Sequence, residues 1–148
     1  MILLILACIF TPYKLEQAVQ QFDQQELIDS LQNGRHGYVR ERAAMGLQRI
    51  SPKRQIPNAL HALYACVSNK NEFDFVRKAC VQTLSSWNDE KLPVLVVDAI
   101  QEVNEETRYW MAFALRARSD AQSRALLDSL KNDSDPILAY SVRQWLEE

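Results

Sequence analysis

The chain has 148 residues, of which 47% are apolar and 24% are charged, a balance that indicates one globular domain and not a disordered chain. Its 3 glycines and 5 prolines are too few for the turns of a β-sandwich or β-barrel of this size. The net charge of -2 argues against a protein that coats nucleic acid with its whole surface, although it leaves room for a local basic patch.

The chain begins with an unbroken apolar run, Ile2 to Phe10. This run is shorter than the ~20 residues that a membrane-spanning helix needs, and it lacks the flanking signals of a secretory peptide. Leu6-Ala7-Cys8 faintly resembles a lipoprotein acylation site, so two interpretations stay open: a packed terminal segment, or the remnant of an export or anchor signal. Thr11-Pro12 predicts a helix start. We therefore divide the chain into an apolar segment, residues 1–11, and one repeat domain, residues 12–148.

Two kinds of helix are predicted to alternate along the repeat domain, after one extra helix at Tyr13 to Phe22. The first kind begins at Gln24, where Asp23 and Glu26 form a capping box, and it stops near Gly34. The LPVLVV stretch that begins at Leu92 could be a strand, because β-branched residues favour strands, but its position in the repeat favours a helix. The predicted helices of this kind are Gln24 to Gln32, Pro57 to Val67, Leu92 to Gln101 and Ala121 to Leu130.

The second kind of helix recurs as a self-similar segment of nine residues. Its copies start at Val39, Val76, Thr107 and Ile137, at intervals of 37, 31 and 30 residues. Each copy has a small or apolar pair at its fifth and sixth places and a large apolar residue at its ninth, which is helical spacing. In the first copy this spacing predicts a buried face of Val39, Ala43, Ala44 and Leu47.

This alternation of a Pro-bearing helix, a polar turn and a V-R-x-x-A helix resembles the HEAT-like repeats of the phycobilisome-lyase type, best across Ser51 to Leu146. The resemblance implies an all-α fold, a right-handed α-solenoid of about four HEAT-like helical hairpins. It implies little chemistry, because the motif residues pack one repeat on the next, and no residue here supports bilin attachment. The fourth repeat departs from the pattern, with Leu138 where the others have Arg, which suits a terminal capping repeat.

An arginine recurs at one repeat position, as Arg40, Arg77 and Arg108. The resemblance implies that each one bonds an acid or a helix-end carbonyl in the neighbouring repeat, which suits the planar guanidinium group. The alternative is a ladder that binds anions.

The sequence offers no convergent set of metal-binding or catalytic groups. Its three cysteines form no CxxC pair, and His36 and His61 stand apart from each other. We expect Cys66 and Cys80 to be buried, inert thiols, so that nothing demands an oxidising compartment. The three glycines form no phosphate loop, and the adjacent Glu105-Glu106 diverge on a helix. An enzyme is therefore less well supported than a non-catalytic protein, and no cofactor is expected.

Large aromatic residues alternate with Arg and Lys on the stripe of the second helices opposite their core positions. In a solenoid this row normally lines the concave face, where such residues are typical of a binding surface. The alternative is that Trp110, Phe113 and Tyr140 fill the gap between the last two repeats. The predicted partner-binding residues are Arg42, Met45, Lys78, Tyr109, Trp110, Phe113, Arg116, Tyr140 and Arg143.

These features predict a non-catalytic scaffold that binds a protein or peptide partner on the concave face of the solenoid. A second interpretation is a nucleic-acid-binding protein that resembles the HEAT-like DNA glycosylases. A third is a membrane-associated subunit of a larger assembly, attached through Ile2 to Phe10. We expect a cytoplasmic protein, or an exported or membrane-attached one if the N-terminal segment acts as a signal. The partner, the pathway and the oligomeric state stay undefined.

Overall fold

The computed structural model describes residues 23–50 and 57–147. The predicted segment Ile2 to Phe10, the helix start at Thr11-Pro12 and the helix Tyr13 to Phe22 lie outside the described residues. Within the described ranges the structure has eight α-helices, two short 3-10 helices and no strand. The α-helices are α1 (Gln24–Asn33), α2 (Gly37–Gln48), α3 (Pro57–Ser68), α4 (Asp74–Ser86), α5 (Leu92–Ala99), α6 (Glu105–Phe113), α7 (Ala121–Ser129) and α8 (Pro136–Glu147).

The helices form four hairpins, α1–α2, α3–α4, α5–α6 and α7–α8, which stack in chain order. The first helices pack on one another as one layer, and α2, α4 and α6 pack successively in the other. Ring contacts between α6 and α8 continue this second layer. The described residues therefore form the expected all-α solenoid. We call the exposed side of α2, α4, α6 and α8 the second-helix face.

Polar side chains cap the first turns of several helices, including α1, where the sequence predicts a cap at Asp23. The Asp23 carboxylate accepts hydrogen bonds from the backbone N–H groups of Gln25 and Glu26, at 3.1 and 3.3 Å. The side-chain oxygens of Asn104 and Asp120 each accept an N–H at 2.8 Å, which caps α6 and α7. These bonds satisfy backbone donors that a helix start leaves without a partner.

The β-branched stretch of α5 is helical, as its place in the repeat predicts. Leu92 and Val96 are fully buried, whereas Val94 and Val97 are 45% and 43% exposed. This burial has the period of a helix and not the alternation of a strand. Packing between α3 and α7 therefore outweighs the strand preference of the valines.

The core lies between the two helix layers and follows the repeat positions predicted for the second helices. Val39, Ala43, Ala44 and Leu47 are at most 1% exposed, as expected. Leu84 is also fully buried at the ninth position of the second copy. This apolar face holds successive hairpins together.

The predicted register of the fourth copy is wrong at the start of its helix, although Val142 and Trp145 are buried at its sixth and ninth places. Ile137 is 69% exposed, whereas Leu138 is fully buried, as are Val39 and Val76 at the matching position. The cause is the helix start: the Asp135 carboxylate accepts the Ile137 N–H at 2.9 Å, which places Ile137 in the exposed first turn of α8. Ala139, and not Leu138, therefore takes the place of the repeated arginine.

The expectation that Cys66 and Cys80 are inert thiols is also wrong. Both are buried as expected, but their sulfurs form a disulfide that joins α3 to α4, with Cα atoms 6.6 Å apart. The pairing depends on how the two helices of this hairpin face each other. Cysteine spacing within helical patterns does not reveal that.

The repeated arginines bond acids or helix-end carbonyls, as the resemblance implies. Arg77 is 1% exposed and donates to the Val67 carbonyl at the end of α3, at 2.9 Å. The Arg108 guanidinium bonds Asp133 of the next hairpin at 3.2 Å. Arg40 bonds both the Gly34 carbonyl and the carboxylate of Glu72. All three guanidinium groups are engaged within the fold, which argues against the anion-binding ladder.

Candidate functional site

A cleft of about 350 Å³ crosses the second-helix face from α2 over α4 to α6. One side is aromatic and comes from α6, whereas α2 and α4 supply polar side chains. The residues that line it are Gln48, Gln82, Ser85, Ser86, Trp110, Phe113 and Ala114. We call this the second-helix cleft.

Trp110 and Phe113 form its aromatic wall. Their ring centroids lie 5.3 Å apart with planes at 72°, an edge-to-face arrangement that is favourable for aromatic pairs. Away from the cleft, Phe113 packs on Trp145 of α8 at 5.7 Å, and Tyr109 packs on both Trp110 and Trp145. Trp110 and Phe113 are therefore half-buried. The rings of Tyr109 and Trp145 pack on one side of this pair, and the other side of the pair lines the cleft.

The polar side of the cleft offers hydrogen-bonding groups to a ligand. The Ser85 hydroxyl donates to the Ala114 carbonyl at 3.2 Å, and the Ser86 hydroxyl donates to the Thr83 carbonyl at 2.8 Å. Each of these hydroxyl oxygens can still accept a bond. The side-chain amides of Gln48 and Gln82 form no hydrogen bond with another described residue. The cleft therefore combines apolar contact area with uncommitted polar groups, as ligand-binding clefts do.

A cation lies at the edge of the aromatic wall. The exposed Arg116 guanidinium lies 4.1 Å from the centroid of Phe113, within the range of a cation–π contact. Arg116 has no carboxylate partner among the described residues. The positive charge beside the wall favours a ligand that carries acidic groups next to its apolar part.

The structure brings together only some of the predicted partner-binding residues. Tyr109, Trp110, Phe113 and Arg116 form one cluster, while Arg42 and the 49% exposed Met45 lie on the surface of α2. The others lie apart from the cleft. Lys78 bonds Glu106 at 2.8 Å, Arg143 donates to the Lys131 carbonyl at 2.6 Å, and Tyr140 is 62% exposed with no ring contact to a described residue.

Copies that start at Thr107 and Ile137 predict that Trp110 and Tyr140 share the fourth repeat position, but the helix start of α8 removes this equivalence. With Leu138 as the matching core position, Tyr140 corresponds to Tyr109. The ring that packs against the α6 aromatics is that of Trp145, which is 9% exposed. Trp145, and not Tyr140, therefore fills the gap between the last two hairpins.

Four residues of this region were not predicted from the sequence: Gln48, Ser85, Ser86 and Trp145. The sequence did contain a signal for Gln48, Ser85 and Ser86. Ser85 and Ser86 lie three and four residues after Gln82, so they share its helix face, and Gln48 occupies the repeat position of Ser85. For Trp145 the repeat indicated only a large apolar residue at the ninth place of the fourth copy, and its ring contacts depend on how α8 packs on α6.

Tyr64 and Asp120, two titratable groups with shifted pKa values, form structural bonds outside the cleft. Burial raises the pKa of the Tyr64 hydroxyl, and its 2.7 Å bond to Asp89 raises that pKa further. Burial alone would raise the pKa of Asp120, but bonds from Ser123 and Arg118 lower it below its usual value. Among residues 23–50 and 57–147 no group of three or more His, Cys, Asp or Glu could hold a metal ion. The residues that line the second-helix cleft supply amides, hydroxyls and aromatic rings.

The family model for HEAT repeats matches residues 25–116, more than half of the chain and the hairpins that carry the cleft. The chain belongs to the HEAT-repeat family. Neither the curated proteins nor the solved structures that were compared with this HEAT-repeat chain gave a match. HEAT repeats commonly serve as protein-interaction scaffolds, because their stacked helices create extended surfaces. No helix among the residues described is both long and apolar enough to cross a membrane.

Proposed function

We propose that this HEAT-repeat chain is a non-catalytic docking module that binds a segment of a partner protein in the second-helix cleft. The aromatic wall carries the proposal: Trp110 and Phe113 line the cleft while rings behind hold them in place. Fixed aromatic side chains lose little conformational entropy on binding, and such residues dominate binding energy in protein interfaces.

The chemistry of the cleft favours a partner segment with an apolar anchor next to acidic residues. The anchor would pack on Trp110 and Phe113, and its backbone would bond the uncommitted amides of Gln48 and Gln82. A carboxylate beside the anchor would pair with Arg116, whose guanidinium already lies on the Phe113 ring.

Nucleic-acid binding is less well supported, because several Lys and Arg side chains are already paired with carboxylates of the fold. Arg40, Lys78, Arg108 and Arg118 each bond a carboxylate at 2.7 to 3.2 Å. A groove for DNA needs such cations to contact phosphates. Retention on a DNA column with a steep salt dependence would reverse this preference, since counterion release accompanies phosphate contacts and not apolar docking.

A comparison of three forms of the full chain tests the docking proposal. Wild type, Trp110→Ala and the control Tyr140→Ala are used to capture partners from native lysate, and the captured protein is then titrated directly. We expect Trp110→Ala to weaken binding by more than about 2 kcal/mol and Tyr140→Ala to leave it unchanged. Trp110→Ala should cost less stability than a core leucine. A severely unstable Trp110→Ala chain whose folded fraction binds normally would instead show a packing role.

The repeat subtype and the domain bounds are also proposals. The V-R-x-x-A helices support the phycobilisome-lyase subtype of repeat, and the helical pattern from Thr11 onward supports a repeat domain at residues 12–148.

The compartment is a further proposal. The Cys66–Cys80 disulfide supports the exported or membrane-attached alternative over a cytoplasmic protein, because structural disulfides persist in oxidising compartments. Peptide mapping of the native chain without reductant tests this point: a linked Cys66–Cys80 pair supports export, and two free thiols support the cytoplasm.

A further inference from the structure

An exposed aromatic pair lies on the edge of the solenoid where the second helices begin. Phe73 and Phe75 are 57% and 38% exposed, and their rings stack with centroids 5.4 Å apart and planes at 16°. Neither residue belongs to the second-helix cleft. Together the two rings form a contiguous exposed apolar patch, a feature that often marks an interaction site.

The pair is held in position by the hairpin before it. Gly37 makes this possible, because a Cβ there would lie 2.7 Å from atoms of both phenyl rings. The Arg40 guanidinium lies 5.9 Å from the centroid of Phe73, and the Phe73 N–H donates to the Glu72 carboxylate at 2.8 Å. The rings are therefore pre-organised, which lowers the entropy cost of binding to them.

A second cleft, of about 490 Å³, opens beside this pair, between the starts of α4 and α6. The two phenyl rings form one side, and the opposite side comes from the start of α6. The residues that line it are Glu72, Phe73, Asp74, Phe75, Lys78, Asn104, Glu106 and Thr107. We call this the edge cleft.

The charge of the edge cleft is negative. Three carboxylates line it against one ammonium group, that of Lys78, which already bonds Glu106. The Glu72 carboxylate is occupied by Arg40. The Asp74 carboxylate accepts the Asn104 N–H at 2.9 Å and has no cation partner among the described residues. A ligand with a positive charge would supply that partner.

We propose that the edge cleft binds a basic segment of a partner protein, with a Lys or Arg side chain against Phe73 and Phe75 and its charged group beside Asp74. Aromatic faces attract cations, and the nearby carboxylate adds a charge-assisted hydrogen bond. An acidic segment would meet unpaired Asp74 instead. This surface is separate from the second-helix cleft and opposite to it in charge, so the inference does not depend on the proposed function.

Two labelled peptides test the proposal by fluorescence anisotropy with the full chain. One has a Lys-Leu-Lys core between Gly-Ser flanks, and the other has a Glu-Leu-Glu core. We expect the basic peptide to bind at least about tenfold more tightly than the acidic one, and Phe73→Ser and Asp74→Asn each to weaken it by about tenfold. Thermal unfolding should show Phe73→Ser to be at least as stable as the wild type, because this ring is mostly exposed and serine at the N-cap of α4 can accept a backbone N–H.

Matched variants separate the edge cleft from general attraction to an acidic protein. Asp98→Asn removes an exposed carboxylate on α5, and Tyr140→Ser removes an exposed ring on α8, so neither should change binding. Trp110→Ala should also leave it unchanged, which keeps this test distinct from that of the docking function. The proposal is overturned if the basic peptide fails to bind, if the acidic peptide binds equally well, or if Asp98→Asn weakens binding as much as Asp74→Asn.

Discussion

The Arg40 guanidinium and the Glu72 carboxylate form a bidentate ion pair that ties the first hairpin to the second. Nε bonds Oε2 and Nη2 bonds Oε1, each at 2.7 Å, and both side chains are largely buried. Burial would raise the pKa of Glu72, but the bonds from Arg40 and from the Phe73 N–H outweigh burial, so the pKa lies below its usual value. The pair therefore couples stability to pH.

We expect Glu72→Gln to lower the free energy of unfolding by roughly 2 kcal/mol at pH 7, because the guanidinium loses its charge-assisted bonds. A carboxyl with a lowered folded pKa stabilises the fold fully above its unfolded pKa of about 4.3 and loses that contribution as the pH falls through the folded value. The gap between wild type and variant should therefore narrow below about pH 4. Urea unfolding of the wild type and of Glu72→Gln from pH 3 to 7 measures this difference in the free energy of unfolding.

Glu102→Gln is the control for this series, because the Lys70–Glu102 pair is much more exposed. Exposed pairs contribute at most about 1 kcal/mol, so its gap from wild type should be small at every pH. A Glu72→Gln gap that stays constant down to pH 3 would contradict the assigned pKa direction.

Reduction of the Cys66–Cys80 disulfide is expected to destabilise the α3–α4 hairpin. The bond closes a loop with a sequence separation of 14, and releasing such a loop costs roughly 3 kcal/mol through the entropy of the unfolded chain. Urea midpoints with and without dithiothreitol measure the loss. The double variant Cys66→Ala/Cys80→Ala serves as control and should not respond to the reductant. An equal response from that variant would assign the effect to another group.

Leu84→Ala is expected to destabilise the protein by roughly 2–5 kcal/mol, the range for a fully buried leucine in a packed core. Met45→Ala on the exposed face of α2 should stay within about 0.5 kcal/mol of wild type. Chemical denaturation compares the two. Hydrogen exchange should show the Leu84→Ala loss in the neighbouring hairpins, since each hairpin packs only on its neighbours. A negligible shift of the denaturation midpoint for Leu84→Ala would mean that α4 is placed in the wrong register.

Trp145→Ala is expected to cost about 3–5 kcal/mol, because a large buried ring leaves a cavity against Tyr109 and Phe113. The loss should appear first as faster hydrogen exchange in α7 and α8. Tyr140→Ala, on the exposed side of the same helix, should change stability by less than about 0.5 kcal/mol. If the two variants were equally damaging, Tyr140 would also help to fill the gap between the last two hairpins.

Most of the fold follows from local patterns in the sequence. The recurring core residues that begin with Val39 and Leu47 set the helix period, and Asp23 marks where the first described helix begins. These signals work because helix geometry links residues only three or four positions apart. The exposed Ile137 shows the limit of these sequence signals. Ile137 and Leu138 are both large and apolar, so either one could have occupied the core position.

The part of the candidate site that was predicted lies along one helix. Trp110, Phe113 and Arg116 share a face through helical spacing, and the structure places them together. Tyr140 and Lys78 lie away from that cluster because their positions depend on how neighbouring hairpins are stacked.

The sequence by itself determined the all-α repeat, the helix starts and the buried face of the second helices, because each depends on residues within one or two turns. Only the tertiary structure decided that Cys66 meets Cys80, that Trp145 packs behind Phe113, and that Gly37 leaves room for two exposed rings. Those contacts join residues of different helices. Their existence depends on the offset and rotation of one helix against another, quantities that packing of the whole solenoid sets.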